Sequence, residues 1–181
     1  AQVVASLERS FAPPEPGRGT GEGARRASGG PFAVIRIPAF GSDFARPVYE
    51  GTDAPELAKG IGYVAGTATS GQIGNFVTAG HRVTYGKPYN RIDELRPGDP
   101  IVVETDEGTY TYAFTSFRIT TADDVGVLAP VPDEPGQAAT TETGRWITLI
   151  ACHPEFSARE RYVAVAELAG FTPRVGGVPS T

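Results

Sequence analysis

The chain has 181 residues, of which 40% are hydrophobic, so it is long enough and apolar enough to form one domain with a buried core. Its 23 glycines and 16 prolines are too many for a protein of long helices and favour turn-rich β structure. The net charge of −5 argues against a protein that binds nucleic acid by neutralising phosphates, and the sequence has no run of about 18 apolar residues that would span a membrane.

The first 31 residues differ in composition from the rest of the chain. Residues 1–11 carry apolar side chains at three- and four-residue spacing and predict a short helix. Residues 12–31 are rich in glycine, proline, serine and charge and predict a flexible linker. Because the chain has neither an initiator Met nor a signal-peptide pattern, we expect a processed or truncated chain from which an anchor is missing.

From residue 32 onward, short runs of β-branched and aromatic residues bounded by Gly or Pro predict strands. In chain order the predicted strands are 32–40, 47–50, 75–83, a hairpin over 101–121 that turns at Asp106-Glu107-Gly108, 146–152 and 161–168. Two short helices are predicted at 54–62 and 88–95, and residues 60–74 are predicted to form turns. Six to eight short strands with few helices predict an all-β protein, either a barrel or a sandwich.

A long loop is predicted between Thr121 and Arg145, where three prolines interrupt any periodicity. Loops of this length within a compact domain are often functional. The acidic pairs Asp123-Asp124 and Asp133-Glu134 in this loop lack the ligand spacing of a calcium-binding loop, so we interpret them as solvated charge. Residues 172–181 predict a loose C-terminal tail.

Cys152 is the one cysteine of the chain, which excludes an intramolecular disulfide and a zinc site built from several cysteines. We therefore expect neither a metal site nor a cofactor. A single cysteine in a β domain is most often a small buried hydrophobic residue. The alternative is a nucleophile, and the residues around Cys152 bear on that choice.

Cys152 ends an apolar strand and is followed by His153 and Pro154. Arg161 begins the next predicted strand, so it lies near Cys152 if the two strands are neighbours. A guanidinium group there would favour the thiolate and could bind a developing oxyanion. A cysteine nucleophile also needs a proton-transfer partner. Since neighbours on a strand point to opposite faces, His81 is a better candidate for this partner than His153.

Four segments, in the same order along the chain, resemble the sortase family of cysteine transpeptidases. They are FVTAGHR (76–82), LRPGDPIVVET (95–105), TSFRITTADDVGVL (115–128) and TLIAC (148–152) followed by Arg161, which is similar to the signature T-L-x-T-C…R. The stretches 79–95 and 151–162 are most similar to class E sortases of high-GC Gram-positive bacteria. The resemblance covers about residues 32 to 168.

The resemblance implies a closed eight-stranded β-barrel over residues 32–171, with residues 1–31 as a stalk. It implies an enzyme that cuts a C-terminal sorting signal of the L-A-x-T-G or L-P-x-T-G kind between Thr and Gly through a thioester. The Thr carbonyl would then pass to an amine of a peptidoglycan precursor. The expected partners are secreted proteins that bear the signal, and the expected location is the outer face of the cell membrane, held by an N-terminal anchor absent from this chain.

Carried over to this sequence, the resemblance makes Cys152 the nucleophile, His81 the general acid and base, and Arg161 the group that binds the substrate or the oxyanion. Further residues are expected to line the groove for the sorting signal. These are Ala79, Tyr85, Val125, Val127, Leu128, Thr148, Ile150 and Ala151.

The sequence departs from the family pattern at two places. Ala151 stands where the family has Thr, directly before the nucleophile, and Tyr63-Val64-Ala65 stands where class E members often have a His-Tyr-Pro-like stretch. Three interpretations follow: a housekeeping-type sortase that acts on peptidoglycan, a pilin-polymerising sortase with a Lys acceptor, or a barrel that binds peptides without catalysis. The absence of a D-P-[FWY]-like lid motif from residues 1–31 weighs against the pilin-polymerising enzyme.

Overall fold

The computed structural model describes residues 2–4, 30–153 and 159–174, and within them the chain forms eight strands. The strands are β1 (Pro31–Arg36), β2 (Arg46–Glu50), β3 (Ile61–Tyr63), β4 (Gly74–Ala79), β5 (Pro100–Glu104), β6 (Gly108–Thr121), β7 (Arg145–His153) and β8 (Glu160–Pro173). One α-helix, α1 (Ala54–Lys59), and three 3-10 turns at Pro38–Phe40, Ile92–Glu94 and Val125–Leu128 connect them.

The strands close into a single barrel in the order β1-β2-β3-β4-β7-β8-β6-β5, which confirms the predicted eight-stranded barrel. Strand β1 pairs antiparallel with both β2 and β5 and so completes the closure. Two neighbouring pairs are parallel, β2 with β3 and β4 with β7. The second parallel pair matters for function because it brings together the ends of two strands that are far apart in the sequence.

Most predicted elements are present with shifted ends. The hairpin over 101–121 is confirmed as β5 and β6, and Gly108 at its turn has φ +155° and leaves no room for a Cβ, which would lie 2.3 Å from the Thr172 carbonyl oxygen. Strand β4 ends at Ala79, two residues before His81. Strand β8 runs on to Pro173, beyond the predicted end at residue 168.

The prediction of turns over residues 60–74 is wrong for Ile61–Tyr63, which form β3. Three residues are too few for an alternating pattern to register, and a glycine occupies the middle of the strand. The strand exists because its neighbours β2 and β4 supply hydrogen bonds on both sides.

The core fills the barrel interior with the inward-facing side chains of every strand. On β7 the buried alternation is clear, because Ile147, Leu149 and Ala151 belong to the core cluster. The intervening residues therefore point to the outer surface, and Cys152 is among them. Alternation between core and surface is thus what brings the thiol to the outside of the barrel.

Several predictions fall mostly outside the described residues. Of the predicted N-terminal helix only residues 2–4 are described, and they are helical, with Val4 packed in a small cluster with Val34 and Ala45. The predicted linker over 12–31 and the tail beyond residue 174 lie outside the described ranges, apart from the residues where β1 begins. Among the described residues, no helix is both long and apolar enough to cross a lipid bilayer.

Leu149 tests the importance of the barrel core for stability. Its side chain is fully buried on β7, so Leu149→Ala should lower the free energy of unfolding by about 2–5 kcal/mol through lost burial and the cavity left behind. Ile119 on β6 is 45% exposed, and Ile119→Ala should cost well under half as much. Urea unfolding followed by circular dichroism measures both, and equal losses would contradict the core assignment.

Candidate active site

The ends of three neighbouring strands meet at one edge of the barrel, near the residues that the sequence suggested for catalysis. In the antiparallel pair β7–β8, Cys152 is the register partner of Arg161. Directly opposite residues in such a pair have Cβ atoms about 5 Å apart, so the arginine side chain begins beside the thiol. In the parallel pair β4–β7, Ala79 is the partner of Ile150, and the Gly80 amide donates to the Ile150 carbonyl at 3.0 Å.

The parallel register also fixes the level of His81. Two residues beyond the Ala79–Ile150 pair, the chain of β4 reaches His81 just as β7 reaches Cys152. Cys152, His81 and Arg161 are all partly exposed, in contrast to the buried residues that face the barrel interior. A thiol, an imidazole and a guanidinium group are therefore carried to one edge of the outer surface, where a nucleophile, a proton carrier and an anion-binding group could act on one bound peptide.

The chain after β4 folds back closely under His81. The Tyr89 amide donates to the His81 carbonyl at 3.1 Å. Gly80 permits this approach, because a Cβ there would lie 2.7 Å from the Tyr89 ring and 3.0 Å from Pro88. The Tyr89 hydroxyl shares a 2.7 Å hydrogen bond with Thr78 in the core, and burial raises its pKa well above the usual value. The backbone of His81 is thus held by Tyr89, whose own ring is fixed in the core.

Arg82, directly after His81, packs beneath Cys152. Its side chain is only 5% exposed, and its guanidinium donates to the Cys152 carbonyl oxygen at 3.4 Å and pairs with Asp93 at 3.1 Å. The same guanidinium lies 5.9 Å from the centre of the Tyr162 ring, beside Arg161 in the sequence. Arg82 therefore follows His81 directly in the chain and contacts the two strands that carry Cys152 and Arg161.

Asn75 joins the long loop between β6 and β7 to the outer face of the barrel. Its side-chain amide donates to the carbonyl oxygens of Val127 at 3.4 Å and Ala129 at 3.0 Å. Its carbonyl oxygen accepts a 2.7 Å hydrogen bond from the Thr148 hydroxyl. The 3-10 turn Val125–Leu128 is thereby held against β4 and β7.

Two ion pairs of one arginine hold the same loop at a second place. Arg118 on β6 pairs with Asp124 at 2.6 Å and with Asp133 at 2.7 Å. The Asp124 carboxylate accepts hydrogen bonds from the Thr120 hydroxyl, the Arg118 guanidinium and the Gly126 amide. These bonds lower its pKa from 3.8 to about 2. Asp124 and Asp133 are therefore ion-paired residues that fix the loop, and not only solvated charge as the sequence suggested.

The residues expected to line the groove occupy different depths. Val125 is 78% exposed and Leu128 also faces solvent, while Val127 is half-buried. Tyr85 is 62% exposed and lies over His81, with ring centres 5.0 Å apart.

Among the strand residues, Ala79 and Ile150 are partly exposed on the outer face, whereas Thr148 and Ala151 are buried. Ala151 faces the barrel core and Thr148 is covered where it bonds Asn75, so neither lies on the exposed surface where the groove was expected.

The chain is similar to proteins of one family. Residues 35–169 match the family model for the sortase domain. The sequence is 38% identical over 156 residues to sortase SrtE1 of Streptomyces coelicolor, across 82% of this chain and 43% of that protein. The structure resembles sortase E from Streptomyces avermitilis, with a TM-score of 0.70, 40% identity and coverage of 80% of this chain and 91% of that one.

A structure of sortase E1 from Streptomyces coelicolor with a tripeptide in its active site is also similar, with a TM-score of 0.72, 36% identity and coverage of 83% of this chain and 95% of that one. The chain spans less than half the length of the SrtE1 protein. Within residues 2–4, 30–153 and 159–174, no three His, Cys, Asp or Glu side chains are grouped as a metal site requires.

Sequence reasoning missed Asn75, Gly80 and Arg82. A polar residue at the start of an apolar strand was a signal for Asn75, and adjacency to His81 was a signal for Arg82. Neither signal identifies a partner. Asn75 bonds Val127, which lies 52 residues further along the chain, and Arg82 bonds Cys152, which lies 70 residues further along.

Gly80→Ala tests the close packing behind His81. The added methyl group must push the Tyr89 ring away, so we expect a loss of about 1–3 kcal/mol of stability and slower alkylation of Cys152 by iodoacetamide at neutral pH. Gly170 has open space around its Cα, so Gly170→Ala serves as the control and should change neither quantity. Unaltered alkylation in Gly80→Ala would show that the packing behind His81 does not affect the reactivity of the Cys152 thiol.

Thr120→Val tests the electrostatics of the loop. Without the hydroxyl, the pKa of Asp124 should rise from about 2 toward 3.8, as measured by carboxyl NMR titration. Because the native pKa lies below the unfolded one, the stabilisation by Asp124 is complete above about pH 4 and lost as the pH falls through the native value. As the pH falls, Thr120→Val should therefore lose the stabilisation by Asp124 at a higher pH than the wild type does.

Thr121→Val is the matched control, since that hydroxyl lowers the pKa of Asp123 and not that of Asp124. This variant should leave the pKa of Asp124 unchanged. If the pKa of Asp124 were the same in Thr120→Val as in the wild type, the Thr120 hydroxyl would not be stabilising the carboxylate.

Proposed function

The chain belongs to the sortase family and is most like its class E members, and on that premise we propose that it is a cysteine transpeptidase acting on a C-terminal sorting signal of the L-A-x-T-G kind. The observation that carries the proposal is the register of β4, β7 and β8. It puts Cys152 opposite Arg161 and at the level of His81 on the outer face of the barrel. No metal or cofactor takes part in the reaction as proposed.

Cys152 acts as a thiolate and attacks the carbonyl carbon of the signal's Thr. The new S–C bond leaves negative charge on the carbonyl oxygen, and the Arg161 guanidinium stabilises it with N–H groups that carry a permanent charge. His81, as the imidazolium, gives its proton to the departing Gly amine as the C–N bond breaks. The products of this half-reaction are a Thr thioester on Cys152 and a released peptide whose first residue is the Gly.

The second half-reaction reverses these roles. An acceptor amine attacks the thioester and loses a proton to His81, the new C–N bond forms, and the Cys152 sulfur leaves as the thiolate. The acceptor we propose is the amine of a peptidoglycan precursor, and the donors are secreted proteins that carry the signal. The reaction would take place at the outer face of the cell membrane in a Gram-positive bacterium, as sortases in general do.

The dimensions of the outer face suit a four-residue signal. Thr148 lies four residues before Cys152 on β7, which is about 13 Å along a strand. The wall formed by Val125–Leu128 is attached beside Thr148 through Asn75. In an extended L-A-x-T segment the Leu lies three residues, about 10 Å, before the Thr. A Thr carbonyl at Cys152 therefore lets the Leu side chain reach Val125 and Leu128, whose exposed apolar surfaces it would cover.

The residues nearer the chemistry would bind the middle of the signal. Ala79 and Ile150 form a low apolar floor between the wall and the thiol. Tyr85, exposed over His81, is positioned to cover the Thr side of the peptide. Thr148 and Ala151 lie beneath this floor.

A direct test is to mix the protein with an L-A-x-T-G peptide and search by mass spectrometry for a Thr thioester on Cys152. We expect the thioester in the wild type and none in Cys152→Ala. Adding a glycine-type amine and a Lys ε-amine in separate reactions then identifies the acceptor. Transfer to Lys alone would favour the pilin-polymerising enzyme, and a bound but uncut peptide would favour a binding module.

Arg161→Ala tests the oxyanion role. Removal of one oxyanion donor typically lowers kcat on the order of 10²- to 10³-fold, and we expect at least this loss, with little change in the thermal unfolding midpoint. Arg161→Lys keeps the charge but not the fork of N–H groups and should recover only part of the rate. Near-normal transpeptidation by Arg161→Ala would remove Arg161 from the mechanism.

A further inference from the structure

We propose that Asn75 is a positioning residue that sets the signal-binding wall at a fixed place relative to the nucleophile, an inference that rests on the proposed function. Asn75 touches neither the thiol nor the expected path of the peptide. It connects the loop that carries the wall to β4, which leads to His81, and to β7, which carries Cys152.

The side chain of Asn75 uses both ends of its amide. It is 2% exposed, and its NH2 group faces two backbone carbonyl oxygens, those of Val127 and Ala129. Carbonyl oxygens only accept hydrogen bonds, so the nitrogen of the amide must point to them. The amide oxygen then faces the Thr148 hydroxyl, which donates to it at 2.7 Å.

These bonds relate the wall to the catalytic strands. Asn75 stands on β4 six residues before His81, and Thr148 stands on β7 four residues before Cys152. The adjacent strands are hydrogen-bonded in register from Gly74–Arg145 to Ala79–Ile150. A displacement of the wall along the groove would therefore have to break the bonds to Asn75, because the strands beneath it are fixed.

The wall needs such a support because its apolar side chains are exposed. Val125 and Leu128 present hydrophobic surface to water, so their own burial does not hold them in this position. The Asn75 side chain bonds the backbone carbonyl oxygens of Val127 and Ala129, which holds the turn and leaves the side chains of Val125 and Leu128 free to contact a ligand. A wall held in this way loses little conformational entropy when a peptide binds, and so binds it more tightly.

The Arg118–Asp124 pair does not make Asn75 redundant. It fixes the first residues of the 3-10 turn to β6, whereas Asn75 fixes its last residues to β4. Loss of Asn75 should leave the loop held by Arg118 at Asp124 and again at Asp133, with the segment 127–129 between them able to move across the groove. The predicted defect is thus in peptide binding rather than in the folding of the barrel or in the chemistry at Cys152.

The variant that isolates this role is Asn75→Asp. Aspartate has nearly the same shape and still accepts from Thr148, but its oxygens can only accept and would repel the two carbonyls of the loop. We expect KM for an L-A-x-T-G peptide to rise roughly tenfold or more with kcat changed by less than about threefold, as for a lost ordering of the binding surface. Alkylation of Cys152 by iodoacetamide should be unchanged, since the catalytic groups stay in place.

Two further variants sharpen the result. Thr148→Val removes the bond between Asn75 and β7 but leaves the loop bonds, so its increase in KM should be smaller. Thr143→Ala removes side-chain hydrogen bonds to Thr140 near the other end of the same loop, and it should leave KM, kcat and alkylation at wild-type values.

Hydrogen exchange of residues 122–133 gives a readout that does not depend on turnover. These amides should exchange faster in Asn75→Asp than in the wild type, with the strands unaffected. Unchanged KM in an active enzyme, or unchanged exchange in this loop, would overturn the role of Asn75. A wild type that forms no thioester would instead overturn the proposed function, and hydrogen exchange would still decide whether Asn75 holds the loop.

Discussion

The parallel pairing of β4 with β7 is the constraint on which the site depends. Parallel neighbours end at the same edge of a sheet, so the residues that follow their last hydrogen bonds are brought together whatever their separation in the sequence. Antiparallel β8 begins where β7 ends, which sets Arg161 opposite Cys152. A slip of one residue in either pair would turn Cys152 toward the core and the catalytic groups away from one another.

The barrel core is what prevents such a slip. Phe76, Ile147 and Ala166 are joined in register across β4, β7 and β8, and all three are fully buried. Because side chains alternate between the two faces of a strand, the burial of these residues also determines which residues lie on the outer face. Ala151 also lies on the inner face, opposite Tyr162. Ala151, where the sequence pattern led us to expect Thr, therefore belongs to the core beneath Cys152 and not to the outer surface.

The sequence predicted the strands with clear alternation and three candidate catalytic residues, since both depend on local pattern or on a family motif. It did not predict β3, whose three residues are defined by their neighbours. Nor did it predict the partners of Asn75 and Arg82, because these bonds cross 52 to 70 residues of chain. Local sequence records which residues are polar and which are apolar. The contact that gives a buried polar residue its role is created by the order of strands around the barrel.

The two attachments of the wall differ in physical character, and this difference bears on how the groove responds to its surroundings. The pair between Arg118 and Asp124 is partly exposed, so dissolved salt screens it and its contribution is modest. The bonds of Asn75 to Val127 and Ala129 are neutral, and the bond to Ala129 is buried, so salt affects them little. Breaking them would leave polar groups without partners away from water, which is the more costly loss. As the ionic strength rises, the end of the wall held by Asn75 should keep its position while the end held by Arg118 loosens. The part of the wall that is attached to β4, and through Thr148 to β7, is the part whose geometry is preserved.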